Sequence, residues 1–466
     1  MMTPELLSQF TSIVGESHAI RNAAEMSGYM QEQRDLWVGK SPLVVRPGST
    51  NEVSAVMQLA TATKTPIVPQ SGNTGLVGGG VPFETGTEIL LSLDRMTKIF
   101  DVDAADNTMT VQAGVTLKSV QDAADDVGRL FPLSLASQGS CRIGGNLSTN
   151  AGGLNVLAYG NARDLCLGLE VVLPDGRIWN GLRKLRKDNT GYDLKNVFIG
   201  AEGTLGIITA AVLKLYPKPR AFETAFIAVS SPQAAVDLLS LSRDMSGNRV
   251  VAFELMPRIG MDFTAKHMGI SNPLAEFSPW YVLSELADPV EGCFEKILQA
   301  AMEHGLVTDA TIAQSEAQRR TLWNIREMMP ESQKHEGGSI KHDVAVPVSQ
   351  IPAFIAEATQ AVNRFMPDAR VMSFGHMGDG NLHFNVTQPV GMDKRKYLDC
   401  WQAMNAAVFA VVHKFGGSIS AEHGIGRLKL EHMREIKSAV ELGMMQDLKR
   451  LFDPLNIMNP GKVVPL

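Results

Sequence analysis

Three glycine-dense stretches, at residues 68–80, 137–160 and 198–209, constrain this chain more than any other feature. A glycine inside a helix costs about 1 kcal/mol relative to alanine, so such stretches do not extend regular elements. They are segments whose backbone must approach something closely, because a missing Cβ leaves room for a neighbour or a ligand. The first, VPQSGNTGLVGGG, follows a short β-branched run, where successive N–H groups can form a nest around an anion. It has no lysine and no GxGxxG spacing, so it is neither a Walker loop nor a Rossmann turn. Alone it would read as an ordinary turn. The second and third, SQGSCRIGGNLSTNAGGLNVLAYG and FIGAEGTLGIIT, change that reading: three such segments in one region suit a long ligand threaded along backbone, as a dinucleotide would be.

The elements between them alternate. Residues 42–46 form a β-branched run broken by Pro47-Gly48-Ser49, and Ser49 with Glu52 has capping-box spacing ahead of the apolar positions Val53, Val56 and Met57. Further strands are expected at 65–69, 89–93, 108–112 and 169–173. Helical patterns at 233–246, 317–329 and 351–365 follow the proline-punctuated LKLYPKPR, which places a boundary near residue 218. The expectation is an α+β chain of two parts, 1–218 and 219–466, in keeping with a length of 466 residues that exceeds one ordinary core. A net charge of −6 argues against nucleic acid as a partner. No apolar run is long enough to span a bilayer. The opening MMTPELLSQF reads as a helix started by Thr3 and Pro4, not as a secretory signal, and four scattered cysteines fit a reducing, cytoplasmic setting.

The order RPGSTNEV, PQSGNTGLVGGG, GSCRIGGNLSTNAGG and RKDNTGYDLKNVFIGAEGTLGIIT resembles the FAD-binding domain of the vanillyl-alcohol oxidase / p-cresol methylhydroxylase superfamily. The resemblance implies a two-part FAD-binding domain, a substrate-bearing cap with an antiparallel sheet, and a C-terminal segment returning to the flavin. By motif, Pro69, Gln70, Gly72, Asn73, Thr74, Gly75 and Leu76 would form the pyrophosphate loop. Ser140, Gly144, Gly145, Ser148, Asn150 and Gly153 would follow the flavin, and Glu202, Gly203 and Ile208 the adenine side. The tail DPLNIMNPGKV would bring Asn459 near the ring. Members with a covalent flavin commonly carry a histidine in the first loop. Asn73 stands here, and non-covalent FAD is expected.

VMSFGHMGDGNLHFNV, at 371–386, reads as two alternating strands around Asp379-Gly380, a favoured pair for a two-residue hairpin turn. A turn centred there sets His376 opposite His383, with Asn385 on the same face. Two imidazoles so placed can bind a metal, and Glu422 or His423 in GGSISAEHGIG offers a third ligand. A His₂–carboxylate set suits Zn²⁺, Mn²⁺ or Fe²⁺. The local sequence leaves equally open that both histidines are hydrogen-bonded core residues. GHMGDGNLHFNV and SAEHGIG are similar to the signature pair of the D-lactate / D-2-hydroxyglutarate dehydrogenase branch, which also includes the glycolate oxidase flavin subunit. That resemblance implies His376, His383 and Glu422 as ligands of a divalent ion, zinc being the expected one, with Asn385 and His423 beside the substrate.

The implied reaction oxidises a D-2-hydroxy acid: His423 takes the hydroxyl proton, and a hydride passes to flavin N5. Arg326 and Lys341 would hold a distal carboxylate, as their counterparts do in the hydroxyglutarate branch. The third group of that clamp is usually a hydroxyl residue, and Pro330 occupies the matching position, which leaves D-malate and D-lactate open beside D-2-hydroxyglutarate. A homodimer passing electrons to an electron-transfer flavoprotein or a quinone pool is the expected setting. The alternatives are a subunit of a glycolate-oxidase-type complex, a His₂–Glu hydrolase and a flavoprotein that only binds; the hydrolase leaves the glycine segments unexplained.

Overall fold

The computed structural model describes residues 2–466, which cluster into two units. The first comprises the chain to Gly153, then Gly160–Lys218 and Glu422–Leu466; the second holds Leu154–Tyr159 and Pro219–Ala421. The chain leaves the first unit near 218, but residues 219–466 do not make one body. The tail is recaptured by backbone pairing: Ile67 N–H donates to the Ile457 carbonyl at 2.7 Å, and Asn459 N–H to the Ile67 carbonyl at 2.8 Å. Ile457 and Met458 then join the first unit's core, beside Val53, Ile67 and Leu91. The tail thus returns to the flavin-binding part as its DPLNIMNPGKV motif led one to expect, although no run of local sequence names the backbone partners it pairs with.

In the first unit a four-stranded sheet runs in the order Ala19–Ile20, Val44–Val45, Ile89–Ser92, Ile67–Gln70. A separate five-stranded antiparallel sheet has the order Ile99–Asp103, Thr108–Gln112, Ile207–Lys214, Cys166–Val172, Ile178–Gly181. Helix Pro4–Val14 is capped by Thr3, whose hydroxyl accepts from Leu6 N–H. Ser49 caps Thr50–Thr63 by accepting from Glu52 N–H at 3.2 Å, and the Glu52 carboxylate accepts from Gly48 N–H at 2.8 Å. The cap starts the helix in the register that buries Val53, Val56, Met57 and Ala60.

The second unit is built on a seven-stranded antiparallel sheet: Val307–Ile312, Phe222–Val229, Trp280–Ala287, Val250–Pro257, Arg370–His376, Asn381–Thr387, Ser339–Ala345. Helices Pro232–Ser246 and Ile351–Phe365 lie where the apolar period put them. The expected helix over 317–329 is broken into Glu316–Glu327 and Met329–Lys334, because Pro330 cannot continue the hydrogen-bond ladder but suits the first turn of a new helix.

The hairpin between Arg370–His376 and Asn381–Thr387 departs from the expected turn. His383 stands opposite Phe374, not His376, and four residues, 377–380, make the connection. The register is displaced by two residues. A shift of two preserves the face each side chain occupies, so His376, His383 and Asn385 still share one side of the sheet. Among the described residues no helix is long and apolar enough to cross a membrane.

Candidate functional site

The first unit contains a cavity of about 530 Å³ whose wall is largely the glycine segments. Pro69, Gln70, Gly72, Asn73, Thr74, Gly75 and Leu76 line it, as do Ser140, Gly144, Gly145, Ser148, Glu202, Gly203 and Ile208. Glu422 and His423 complete the wall from the recaptured tail. Two glycines show why the composition is needed. A Cβ on Gly72 would lie 2.5 Å from the Ser140 carbonyl oxygen and 2.9 Å from Cys141 Cα, so the first and second loops touch backbone to backbone. A Cβ on Gly75 would meet no atom within 4 Å, so at this lining position its absence enlarges the space open to a ligand. The volume falls within the range of cofactor pockets.

Three expected cofactor residues do not line this cavity. Asn150, at a φ of 50°, accepts from Arg163 N–H at 3.0 Å, and Gly153 packs where a Cβ would be 1.9 Å from the Ser134 carbonyl. Asn459 is buried, donating to the carbonyls of Gly79 and Glu202 at 3.0 and 2.8 Å and accepting from Lys462 Nζ at 2.8 Å. These residues brace the loops. The Asn73 amide is similarly engaged, donating to the Gly28 and Gln31 carbonyls.

Glu202 is the wall's buried carboxylate. Its oxygens accept from Ile425 N–H at 2.7 Å and Gly426 N–H at 3.0 Å, which fixes the segment carrying Glu422 and His423. Burial pushes its pKa up to about 7 despite those two N–H groups and the charges of Lys429 and Lys462. Lys449, also buried, ties the third glycine segment to the tail by donating to the Thr204 and Met458 carbonyls and to Asp453.

In the second unit, strand register collects polar groups on one face of the sheet. His376 is paired with Glu254, Phe374 with His383, His383 with Asp343, and Asn385 with Lys341. The His376 and His383 rings lie edge to face with centroids 5.4 Å apart. Glu254 accepts from Arg326 Nε at 2.7 Å, and its other oxygen lies 2.6 Å from His376 Nδ1. Burial alone would raise the Glu254 pKa, but the charges and hydrogen bonds of His376 and Arg326 hold it at about 2. Asn385 donates to Gln333 at 2.8 Å, and Asp343 accepts from Asn381 at 2.9 Å. Arg326 is therefore a buried member of this network and not a solvated helix charge. Glu254, Gln333 and Asp343 escaped the sequence reading. Only Glu254 left a local signal, as the single ionisable residue within the apolar run VVAFELMP.

Residues 218–463 match the family of FAD linked oxidases, C-terminal domain, and residues 41–181 match the FAD binding domain. The chain belongs to the FAD-linked oxidase family. It is 39% identical over 431 residues to the mitochondrial D-2-hydroxyglutarate dehydrogenase of Danio rerio, covering 92% of this chain and 79% of that one. It is 37% identical over 443 residues to D-2-hydroxyglutarate dehydrogenase of Xanthomonas citri pv. viticola, covering 94% and 93% of the two chains. A solved structure of p-cresol methylhydroxylase superposes with a TM-score of 0.77 at 15% identity, over 98% of this chain and 96% of that one. Alkyldihydroxyacetonephosphate synthase does so at 0.74 and 19%, over 99% and 85%. Both likenesses concern the fold, which is of the p-cresol methylhydroxylase type. The protein is an FAD-dependent oxidoreductase.

Proposed function

We propose that this enzyme is a dehydrogenase that oxidises a D-2-hydroxy diacid, D-2-hydroxyglutarate foremost, to the 2-oxo acid. The observation that carries the reading is the cavity walled by the three glycine segments and by His423, in a chain 34–39% identical to several D-2-hydroxyglutarate dehydrogenases over most of its length. FAD, when bound, accepts the hydride from substrate C2. The glycine loops hold it non-covalently, since no cysteine lines the wall and Asn73 stands in the loop where members with a covalent flavin commonly carry a histidine. His423 takes the hydroxyl proton, a task a neutral imidazole performs near pH 7.

Arg326 and Lys341 bind the distal carboxylate, and Asn385, held by Gln333, orients the substrate. His376 and His383 fit a divalent cation, because they share a sheet face with their rings adjacent. With Glu422, which the family motif supplies, they would hold zinc or a similar ion, whose positive charge favours the ionised hydroxyl. A carrier such as an electron-transfer flavoprotein or quinone takes the electrons onward. A homodimer is the proposed assembly. A reducing compartment such as the cytoplasm fits the four free cysteines.

The test is an anaerobic panel of D- and L-2-hydroxy acids, following flavin absorbance with and without a chelator. D-2-hydroxyglutarate should bleach the flavin fastest, and chelation should slow it. A faster response to D-malate or D-lactate would shift the substrate as Pro330 allows, and no bleaching by any acid would refute the reading.

A further inference from the structure

Strand Val250–Pro257 is buried at all eight positions, yet it carries one ionisable side chain, Glu254. A carboxylate in that setting is expensive unless paired and hydrogen-bonded. Glu254 is fully buried, and its two partners, His376 and Arg326, are 7% and 6% exposed. The antiparallel register sets Glu254 directly across from His376, so the bond to Nδ1 is fixed by the sheet itself. Arg326 reaches the other oxygen from helix Glu316–Glu327 through Nε, with its guanidinium 4.8 Å from the centroid of Phe374.

We propose that Glu254 is a positioning residue that sets two arms of the substrate site at once, a reading that rests on the function proposed above. When it ligates a cation, His376 is a neutral imidazole with one N–H. Donating it from Nδ1 to Glu254 leaves the Nε2 lone pair as the atom His376 presents to a divalent cation. The guanidinium is planar, so anchoring its Nε edge and holding it over the Phe374 ring restricts the whole fork and leaves its Nη groups to bind a carboxylate. One carboxylate thereby couples cation affinity to recognition of the substrate's distal charge. A purely structural ion pair would give neither effect.

Glu254→Gln keeps the volume but turns an amide donor toward one of two groups that both donate. The chelator-stripped protein, titrated with Co²⁺ and followed by visible absorption and calorimetry, should bind the ion 10–100-fold more weakly than wild type, by the usual effect of such partners. Its KM for D-2-hydroxyglutarate should rise as well. Since an unpaired Arg326 could unfold the variant, the comparison is repeated between Arg326→Met, whose Glu254 keeps His376 as its partner, and Arg326→Met with Glu254→Gln, so that neither protein strands a buried guanidinium. The double variant should again bind Co²⁺ at least tenfold more weakly than its parent. Equal affinities within twofold in both pairs overturn the role of Glu254. A wild-type protein that takes up no Co²⁺ overturns the cation site itself, a distinguishable result.

Discussion

Replacing Gly72 by alanine should loosen FAD without altering any group that reacts. The new Cβ would stand 2.5 Å from the Ser140 carbonyl oxygen, 2.9 Å from Cys141 Cα and 3.1 Å from Arg142 N, whereas non-bonded carbons are comfortable at about 3.5 Å or more. All three neighbours are backbone, so none can rotate aside, and the first and second loops must separate. Overpacking of this kind costs about 1–3 kcal/mol. If the cofactor requires the loops in contact, that cost appears in its affinity as a weakening of about 5–150-fold. Apo-protein titrated with FAD, read by quenching of flavin fluorescence, measures it. Gly28→Ala is the control: this helical glycine would place a Cβ within 4 Å of nothing, so affinity should hold and stability rise by about 1 kcal/mol. FAD affinity within twofold of wild type for Gly72→Ala would show that the loop contact does not shape the cofactor site.

Lys449→Met should cost about 3–5 kcal/mol in urea unfolding, because it leaves the buried Asp453 carboxylate with two backbone N–H donors but no counter-charge; adding Asp453→Asn should recover part of the loss, and a cost below 1 kcal/mol would show that the ion pair does not hold the tail. Glu202, raised by burial to about 7, keeps a proton in the folded state that the unfolded chain releases near 4.5, so apo-protein stability should fall as pH rises from 4.5 to 7 and level off above. The full contribution is about 3 kcal/mol, and Glu202→Gln should flatten that part of the profile; an unchanged slope would place the titration elsewhere. Arg326→Met should raise KM for D-2-hydroxyglutarate about 10–100-fold, the value of a charged hydrogen bond, while changing that for D-lactate far less. Equal changes for both acids would remove Arg326 from recognition of the distal carboxylate. His423→Ala should retain FAD yet lose about 10²–10⁴-fold in turnover, and near-normal turnover would exclude it as the base.

Much of this protein was legible in local sequence because the relevant physics is local. Caps at Thr3 and Ser49, the helix period over 351–365 and the glycine loops depend on neighbours a few residues away. The hairpin shows the limit. Asp379-Gly380 suggested a two-residue turn, the structure uses four, and the shared face of His376 and His383 survived because a slip of two leaves strand parity intact. Tertiary structure alone decided the rest. The tail motif implied a return to the flavin, but its pairing of Ile457 and Asn459 with the Ile67 backbone some 390 residues away was not visible in it, and the partners of Arg326 and Asn385 come from other elements. Long-range pairing is selected by the whole core and by the need to satisfy buried polar groups, and no window of sequence contains that information. Glu254 stands between the two cases: its charge in an apolar strand is visible in the sequence, while the identity of its two partners is not.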